Sequence, residues 1–231
     1  NLDYKMSKNV IITGTSSGIG YELVKIFSEK NYEVLALSRD NSKLRSQNLS
    51  GVTSIDFDLT DYENYAKLDE YLKSLKKIDV LINNAGFLVN KDFEKTTIDD
   101  FKKIYSVNVF SVAMLIKYTI QYMCINSSIV NISSIGGIQG SVKFPGLSAY
   151  SSSKGALNIL TEMLAEEYKD KNIHFNTLAI GSVQTKMLEK AFPGFDALTS
   201  AKEMANYIFK FSTDEYKLFN GKIIPVSSST P

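Results

Sequence analysis

Short apolar runs alternate with helix-period stretches along almost the whole of this 231-residue chain, and that alternation limits the folds open to it. The runs fall at 9–13, 33–38, 52–56, 78–83, 128–133, 173–180 and 222–226. Helical patterns fill the gaps near 18–30, 61–76, 97–124, 149–170 and 200–211. In Val80-Leu81-Ile82 and Ile129-Val130-Asn131-Ile132 the apolar residues are nearly continuous rather than alternating. Strands of that kind are buried on both faces, as in a parallel sheet covered by helices. The expected fold is therefore α/β: a doubly wound, mostly seven-stranded parallel sheet, Rossmann-like, with right-handed crossovers and helices on both faces. No linker, repeat or low-complexity stretch divides the chain, so residues 1–231 are read as a single domain. The longest irregular piece, 182–200, has the length of a lid.

Composition excludes several classes. With 44% hydrophobic and 22% charged residues the chain has the make-up of an ordinary soluble protein. A net charge of +1 and the lack of a long basic run argue against nucleic acid as a partner. One cysteine, Cys124, cannot close an internal disulfide, and its apolar surroundings predict a buried, inert thiol. Met6-Ser7-Lys8-Asn9 reads as a natural beginning, with residues 1–5 ahead of it as a cloning remnant and no secretory signal. The best membrane-span candidate, 110–125, is broken by Lys117 and Gln121, so no membrane partner is expected and a cytoplasmic setting is the simplest. The single histidine, His174, rules out a multi-histidine metal cluster. It is expected on the solvent side at the start of a strand.

The first strand runs into Thr13-Gly14-Thr15-Ser16-Ser17-Gly18-Ile19-Gly20 and then a helix. Glycines there allow a tight turn, close approach of backbone to a pyrophosphate, and close packing of the helix on the sheet. The helix start offers unpaired N–H groups and a positive dipole end to an anion. About 20 residues on, where such a fold reads the ribose, the second strand ends in Ser38-Arg39-Asp40. A carboxylate at that strand end would bind the 2′-hydroxyl of NAD, whereas an arginine suits a 2′-phosphate. Ser38 followed by Arg39 favours NADP(H) over NAD. A shift of one residue in register would bring Asp40 to the ribose instead.

Far downstream, Tyr150 and Lys154 stand four residues apart, one turn of helix, which joins a phenol and an ammonium on one face. A nucleotide site followed by a proton donor points to redox chemistry on a carbonyl or an alcohol.

Together these residues resemble the short-chain dehydrogenase/reductase family in its compact single-domain branch. The likeness runs from about Asn9 to Val226. Besides the glycine turn and the Tyr150–Lys154 pair it takes in Asp58-Leu59, Asn83-Asn84-Ala85-Gly86, Asn108 and Ser134, in family order. It implies a catalytic tetrad of Asn108, Ser134, Tyr150 and Lys154. It also implies that Asp58 and Leu59 meet the adenine, that Asn84, Ala85 and Gly86 pass close to the cofactor ribose, and that Gly181, Val183 and Thr185 hold the nicotinamide carboxamide. A free phenol has a pKa near 10. Lys154 and an oxidised nicotinamide would favour phenolate, so that Tyr150 serves as general acid in reduction and general base in oxidation. Ser134 would hydrogen-bond the substrate oxygen, Lys154 the ribose hydroxyls, and Asn108 a water linking Lys154 to solvent. Ser133 competes with Ser134, since side chains alternate along a strand and only one can face the cofactor; the family pattern selects Ser134.

The chain departs from the pattern in three places. Ile180-Gly181 replaces the usual Pro-Gly. The spacing from Ser134 to Tyr150 is about three residues longer than is common, with the excess expected in 140–146 beside the substrate. Asp-Gly-Gly is missing after the last strand. The resemblance implies an NADP-dependent oxidoreductase acting on a small-molecule ketone or aldehyde and its alcohol. An acyl-carrier-linked reductase lies within that class. A dinucleotide-binding sensor with little turnover is the alternative from another class, and a sugar-nucleotide epimerase fits the glycine spacing poorly. Apolar positions in 97–124 and 149–170 (Val112, Leu115, Ile116, Ile120, Leu157, Leu160, Leu164) are core residues first. Their surplus predicts a homodimer or homotetramer.

Overall fold

The first apolar run becomes β1 (Asn9–Thr13), all five residues of which are buried. Val10 and Ile12 point into one hydrophobic core, Ile11 into another on the opposite face of the sheet. Burial on both sides is why the run is continuous rather than alternating. The computed structural model describes residues 7–228. The reading of residues 1–5 as a remnant, and residues 229–231, lie outside the described part.

After β1 come α1 (Gly18–Glu29), β2 (Glu33–Ser38), α2 (Ser42–Arg45), β3 (Val52–Asp56), α3 (Tyr65–Leu75) and β4 (Ile78–Asn83). The second half holds α4 (Ile98–Tyr105), α5 (Ser111–Thr119), β5 (Met123–Ser134), α6 (Ser148–Glu167) and β6 (His174–Ile180). It closes with β7 (Val183–Gln184), α7 (Lys186–Ala191), β8 (Thr199–Ser200), α8 (Ala201–Thr213) and β9 (Lys222–Val226). Seven strands form one parallel sheet in the order β3-β2-β1-β4-β5-β6-β9. This is the expected Rossmann-like arrangement. One face packs α1, Leu44 of α2, and Met204, Ala205, Ile208 and Phe211 of α8. The other packs Leu68 and Leu72 of α3, Val112, Leu115 and Ile116 of α5, and Leu157 and Ala165 of α6. The chain leaves β1 towards β2 on one side and reaches β4 on the other, so a crevice opens beyond the ends of β1 and β4. Ligands of doubly wound sheets bind at such a switch point.

Four expectations need correction. The long helix over 97–124 is interrupted: α4 passes into a π turn at Ser106–Phe110, then α5, then a 3₁₀ turn at Ile120–Tyr122. β5 begins five residues early, at Met123, because its first part pairs with Ile78 across an irregularity before the regular ladder at Ser128. Cys124 is thus a strand residue, half-buried, with its thiol pushed up by burial and by nearby Asp79. The 182–200 stretch is folded, since β7 and β8 pair (Val183 with Thr199, Gln184 with Ser200) around α7. His174 is half-buried rather than solvent-facing, with Nδ1 3.0 Å from the Phe219 carbonyl oxygen and its ring edge-on to Tyr216.

Candidate active site

The glycine turn is built by close approach. Gly14 has φ +72°, and a Cβ there would lie 2.9 Å from Ala85 Cα. A Cβ at Gly20 would lie 2.2 Å from the Gly14 carbonyl oxygen. Thr13 locks this turn to the one after β4: its hydroxyl oxygen accepts from the Asn84 and Ala85 N–H groups at 3.0 and 2.9 Å, and Asn84 Nδ2 donates to the Thr13 carbonyl at 3.0 Å. Thr15 is tied to Asn41, Oγ1 to Oδ1 2.7 Å, and Asn41 in turn donates to the carbonyls of Ala36 and Ile55. The start of α1 is left open. Ser17 at its N-cap makes no side-chain cap and the first turn holds no acid, whereas Thr97–Asp100 and Ser200–Glu203 form complete capping boxes on α4 and α8. Free N–H groups at an uncapped helix start are a ready anion site.

These turns border a cavity of about 1080 Å³. Of the expected cofactor residues, it is lined by Gly14, Ser16, Ser17, Gly18, Ile19, Ser38, Arg39, Asp58, Leu59, Asn84, Ala85, Gly86, Gly181, Val183 and Thr185, together with Ser134, Tyr150 and Lys154. Two expected residues are not on its wall. Gly20 sits behind the turn, where it lets α1 press on the Gly14 carbonyl, and Asn108 is fully buried. Asp40 is not on the wall either: it accepts from the Ser42 N–H at 2.8 Å, whereas Ser38 and Arg39 border the cavity.

The two arginines differ sharply. Arg45 makes a double hydrogen bond to Asp56, both contacts 2.8 Å. Arg39 makes no ion pair among the described residues and borders the cavity. Asp58 is partly desolvated, which raises its pKa. Two hydrogen bonds from Thr60 and the charge of Arg39 outweigh this and leave the carboxyl below its usual range. At the other end, Ile180 closes β6 in register with both Ser134 and Val226, so the position lacking the proline is held by the ladder on each side.

On the cavity wall, β5 and α6 bring Ser134, Tyr150 and Lys154 together. Ser134 Oγ accepts from the Gly136 N–H at 3.2 Å, and its hydroxyl lies near enough to the Tyr150 phenol to ease its pKa. Ser133 also borders the cavity, but its hydroxyl is committed to the Lys154 carbonyl at 3.2 Å. Lys154 Nζ donates to the Ile132 carbonyl at 2.8 Å and lies 5.7 Å from the centre of the Tyr150 ring. Burial pushes the Tyr150 phenol up to about 12, eased by the nearby Ser134 hydroxyl, and pushes Lys154 down to about 8. Desolvation dominates both groups, because neither is balanced by an opposite charge.

The π turn carries Asn108 inward, and such turns recur at functional sites. Asn108 Oδ1 accepts from the Phe87 N–H at 2.8 Å, and Nδ2 donates to the Phe87 carbonyl at 3.0 Å and to Ser153 Oγ at 2.9 Å. Both amide hydrogens are spent, and one lone pair on Oδ1 remains. Ser153 then donates to the Tyr150 carbonyl at 2.6 Å, linking the Asn108 site to the first turn of α6. Sequence reasoning passed over Thr13, Asn41 and Ser153. Ser153 had a legible signal, lying one helical turn after Tyr150 inside Tyr-Ser-Ser-Ser-Lys; Asn41 had none, since its partners are distant in sequence.

A family model described as short chain dehydrogenase matches residues 8–194. L-2,3-butanediol dehydrogenase of Corynebacterium glutamicum is 34% identical over 197 residues, covering 80% of this chain and 75% of that protein. Carbonyl reductase (NADPH) 2 of Sus scrofa is 33% identical over 182 residues, covering 77% of this chain and 72% of that protein. Among solved structures, 4-hydroxyisoleucine dehydrogenase complexed with NADH superposes with a TM-score of 0.85 at 26% identity, covering 96% of this chain and 97% of that one.

Proposed function

The chain belongs to the short-chain dehydrogenase family of oxidoreductases, and on that premise we propose that it transfers a hydride between NADP(H) and a ketone or aldehyde and its alcohol. The observation that carries the reading is that Ser134, Tyr150 and Lys154 line the same cavity as the glycine turn. The residues fit a dinucleotide: Gly14 and Gly20 let the turn close tightly on Ala85 and on α1, and the α1 start, bordering the cavity, has no side-chain cap. Ser16, Ser17, Gly18 and Ile19 would receive the pyrophosphate, Ser38 and Arg39 the 2′-phosphate, Asp58 and Leu59 the adenine. Asn84, Ala85, Gly86 and Lys154 would border the nicotinamide ribose, and Gly181, Val183 and Thr185 its carboxamide. Bound NADP(H) supplies or accepts the hydride at the substrate carbon.

The chain's own groups handle the proton. In reduction the Tyr150 hydroxyl gives its proton to the carbonyl oxygen as that oxygen gains charge; in oxidation the phenolate takes it from the alcohol. Ser134, beside Tyr150 on the cavity wall, would donate to the same substrate oxygen. Lys154, tethered at Ile132, supplies a positive charge that favours the phenolate once proton transfer begins. Asn108 acts by position, holding Phe87 and Ser153 and through Ser153 the backbone of Tyr150.

NADP(H) is preferred to NAD(H) in this reading because the unpaired Arg39 follows a neutral Ser38, while Asp40 and Asp56 are turned to other partners. Relatives point both ways, one named for NADPH and one solved with NADH. Titration of both reduced cofactors decides it. Arg39→Ala should weaken NADPH by one to two decades, as a charge-assisted contact of roughly 1.5–3 kcal/mol predicts, and leave NADH nearly unchanged. Equal loss for both, or tighter NADH binding by the unaltered protein, would remove the NADP assignment. Following NADPH absorbance with ketones and aldehydes tests the reaction itself.

A further inference from the structure

From the apolar walls of the cavity beyond Ser134 and Tyr150, we infer that the substrate is a ketone, or its alcohol, carrying a bulky apolar body, rather than a sugar, a hydroxy ketone or a keto acid. The inference rests on the carbonyl-reducing reading above and narrows it. Two segments form these walls, and Lys103 and Ser106 border the same cavity, Lys103 Nζ lying over the Phe87 ring 4.8 Å from its centre. The loop between β5 and α6 contributes Phe144 and Leu147, and α7 with the turn after it contributes Met187, Leu188, Phe192 and Phe195. Among the cavity-lining residues of 186–195 only Lys186, next to Thr185 at the base of α7, has a polar side chain. A polyol or a keto acid would need several hydrogen-bonding groups here, because a buried polar group without a partner costs more than the bond would gain.

Three of the wall residues are left unusually bare. Phe144 is 47% exposed, Met187 41% and Phe195 49%, although all three border one concave space. Apolar surface gathered in a cleft rather than scattered marks a binding site. Met187 also reaches across it, its Cε 3.8 Å from where a Cβ on Gly86 would stand.

Both walls are held from one place. Asn90 Nδ2 donates to the Ala191 carbonyl at 2.9 Å, fixing the end of α7 just ahead of Phe192. The next residue, Lys91, donates its backbone N–H to the Gly146 carbonyl at 2.9 Å, fixing the loop between Phe144 and Leu147. Gly146 has φ +85°, and a Cβ there would fall 2.0 Å from Asn90 Oδ1, so this approach requires glycine. The base of α7 is pinned separately, where the Ala197 N–H donates to Gln184 Oε1 at 2.8 Å. An apolar slot fixed in this way exists before the ligand arrives, which spares the cost of ordering it.

The test is a series of methyl ketones from propanone to 2-octanone with acetophenone, set against hydroxyacetone and pyruvate, using protein saturated with NADPH. Burial of each added methylene predicts that kcat/KM rises about fourfold per carbon over the first few members. Acetophenone should exceed hydroxyacetone and pyruvate by at least two decades. Phe144→Ala and Phe192→Ala, on separate segments, should each flatten the slope. A flat series, or a preference for hydroxyacetone or pyruvate, overturns the inference and leaves the carbonyl-reducing reading standing. If no carbonyl is turned over, that reading fails instead, and calorimetry of acetophenone against hydroxyacetone on NADP-loaded protein judges the slot: tighter acetophenone binding upholds it, equal or weaker binding overturns it.

Discussion

Tyr150 and Lys154 sit one turn apart, both held away from water, and burial shifts them in opposite directions. Tyr150→Phe keeps the ring and removes only the ionisable hydroxyl, so turnover should fall by about 10²–10⁴-fold while NADPH titrates as before. Near-normal carbonyl reduction by this variant would assign the proton to another group. Lys154 leads to a less obvious expectation. Its folded pKa, about 8, lies below the unfolded value near 10.5, so between these pH values the unfolded chain binds more protons and stability rises with pH. Below pH 8 the buried ammonium carries its full penalty, on the order of 3 kcal/mol. Lys154→Met removes that penalty and also a hydrogen bond to Ile132 of roughly 1 kcal/mol. The cofactor-free variant should therefore melt several degrees higher than the parent at pH 7, with the gap closing towards pH 10.5. A gap that widens with pH contradicts this account. Tyr150 acts with the opposite sign: its raised pKa gives stability that is whole below pH 10 and lost as pH climbs towards 12.

Between elements, the sheet and α6 are joined by a buried polar chain. Asn83 Nδ2 donates to Asn131 Oδ1 at 2.8 Å, Asn131 Nδ2 to Thr161 Oγ1 at 2.9 Å, and Thr177 Oγ1 to Thr161 Oγ1 at 2.9 Å. β4, β5, β6 and α6 are thereby pinned in the register that sets Ser134 against Tyr150. Asn131→Ala leaves the buried Asn83 Nδ2 without its partner, at roughly 1–3 kcal/mol, while Thr161 keeps Thr177 and the Leu157 carbonyl. Chemical denaturation should show that loss, and kcat should fall although Asn131 touches no substrate; an unchanged midpoint would mean the chain is dispensable. Gly20→Ala acts where α1 meets the glycine turn. The added Cβ meets backbone, the Gly14 carbonyl oxygen, which cannot swing aside, so the turn must open. Dinucleotide affinity and melting temperature should drop together in calorimetry and thermal unfolding. Loss of affinity without loss of stability would place Gly20 at the ligand instead of behind the turn.

At the scale of the whole molecule, the apolar surface away from the cleft has its own pattern. Ile159 and Met163, four residues apart on α6, are 61% and 53% exposed, and Phe110 at the end of the π turn is 50% exposed. Of the apolar positions expected in the core, Val112, Leu115, Ile116 and Leu157 are buried against the sheet, whereas Ile120, Leu160 and Leu164 are half-buried. Three large bare side chains on neighbouring helical elements favour association through this face. Light scattering at micromolar concentration should give a dimer or tetramer, and Ile159→Glu with Met163→Glu should shift it to the monomer. A monomeric parent protein would leave these residues as ordinary surface.

Local pattern was enough for much of this. Continuous apolar runs such as 80–82 can be satisfied only by a sheet covered on both faces, so strand positions and the parallel arrangement were legible without coordinates. Glycine spacing and the four-residue step from Tyr150 to Lys154 were equally plain, because turn geometry and helical pitch act over a few residues. Contacts between distant segments decided the rest. That Arg39 borders the cavity while Asp40 turns to an N–H two residues on, and Asp56 to Arg45, depended on how the loop after β2 folds. The break in the helix at Ser106–Phe110 answers to the Phe87 backbone, 21 residues away, which no periodicity reports. Ser133 was separated from Ser134 by the commitment of its hydroxyl to the Lys154 carbonyl on α6. The phenol's raised pKa came from burial that only the packed site creates, and the slot walled by Phe144 and Phe192 exists because Asn90 and Lys91 hold two remote segments in place. Short-range sterics and periodicity are written in the order of residues; desolvation and long-range hydrogen bonds arise only when the chain closes on itself.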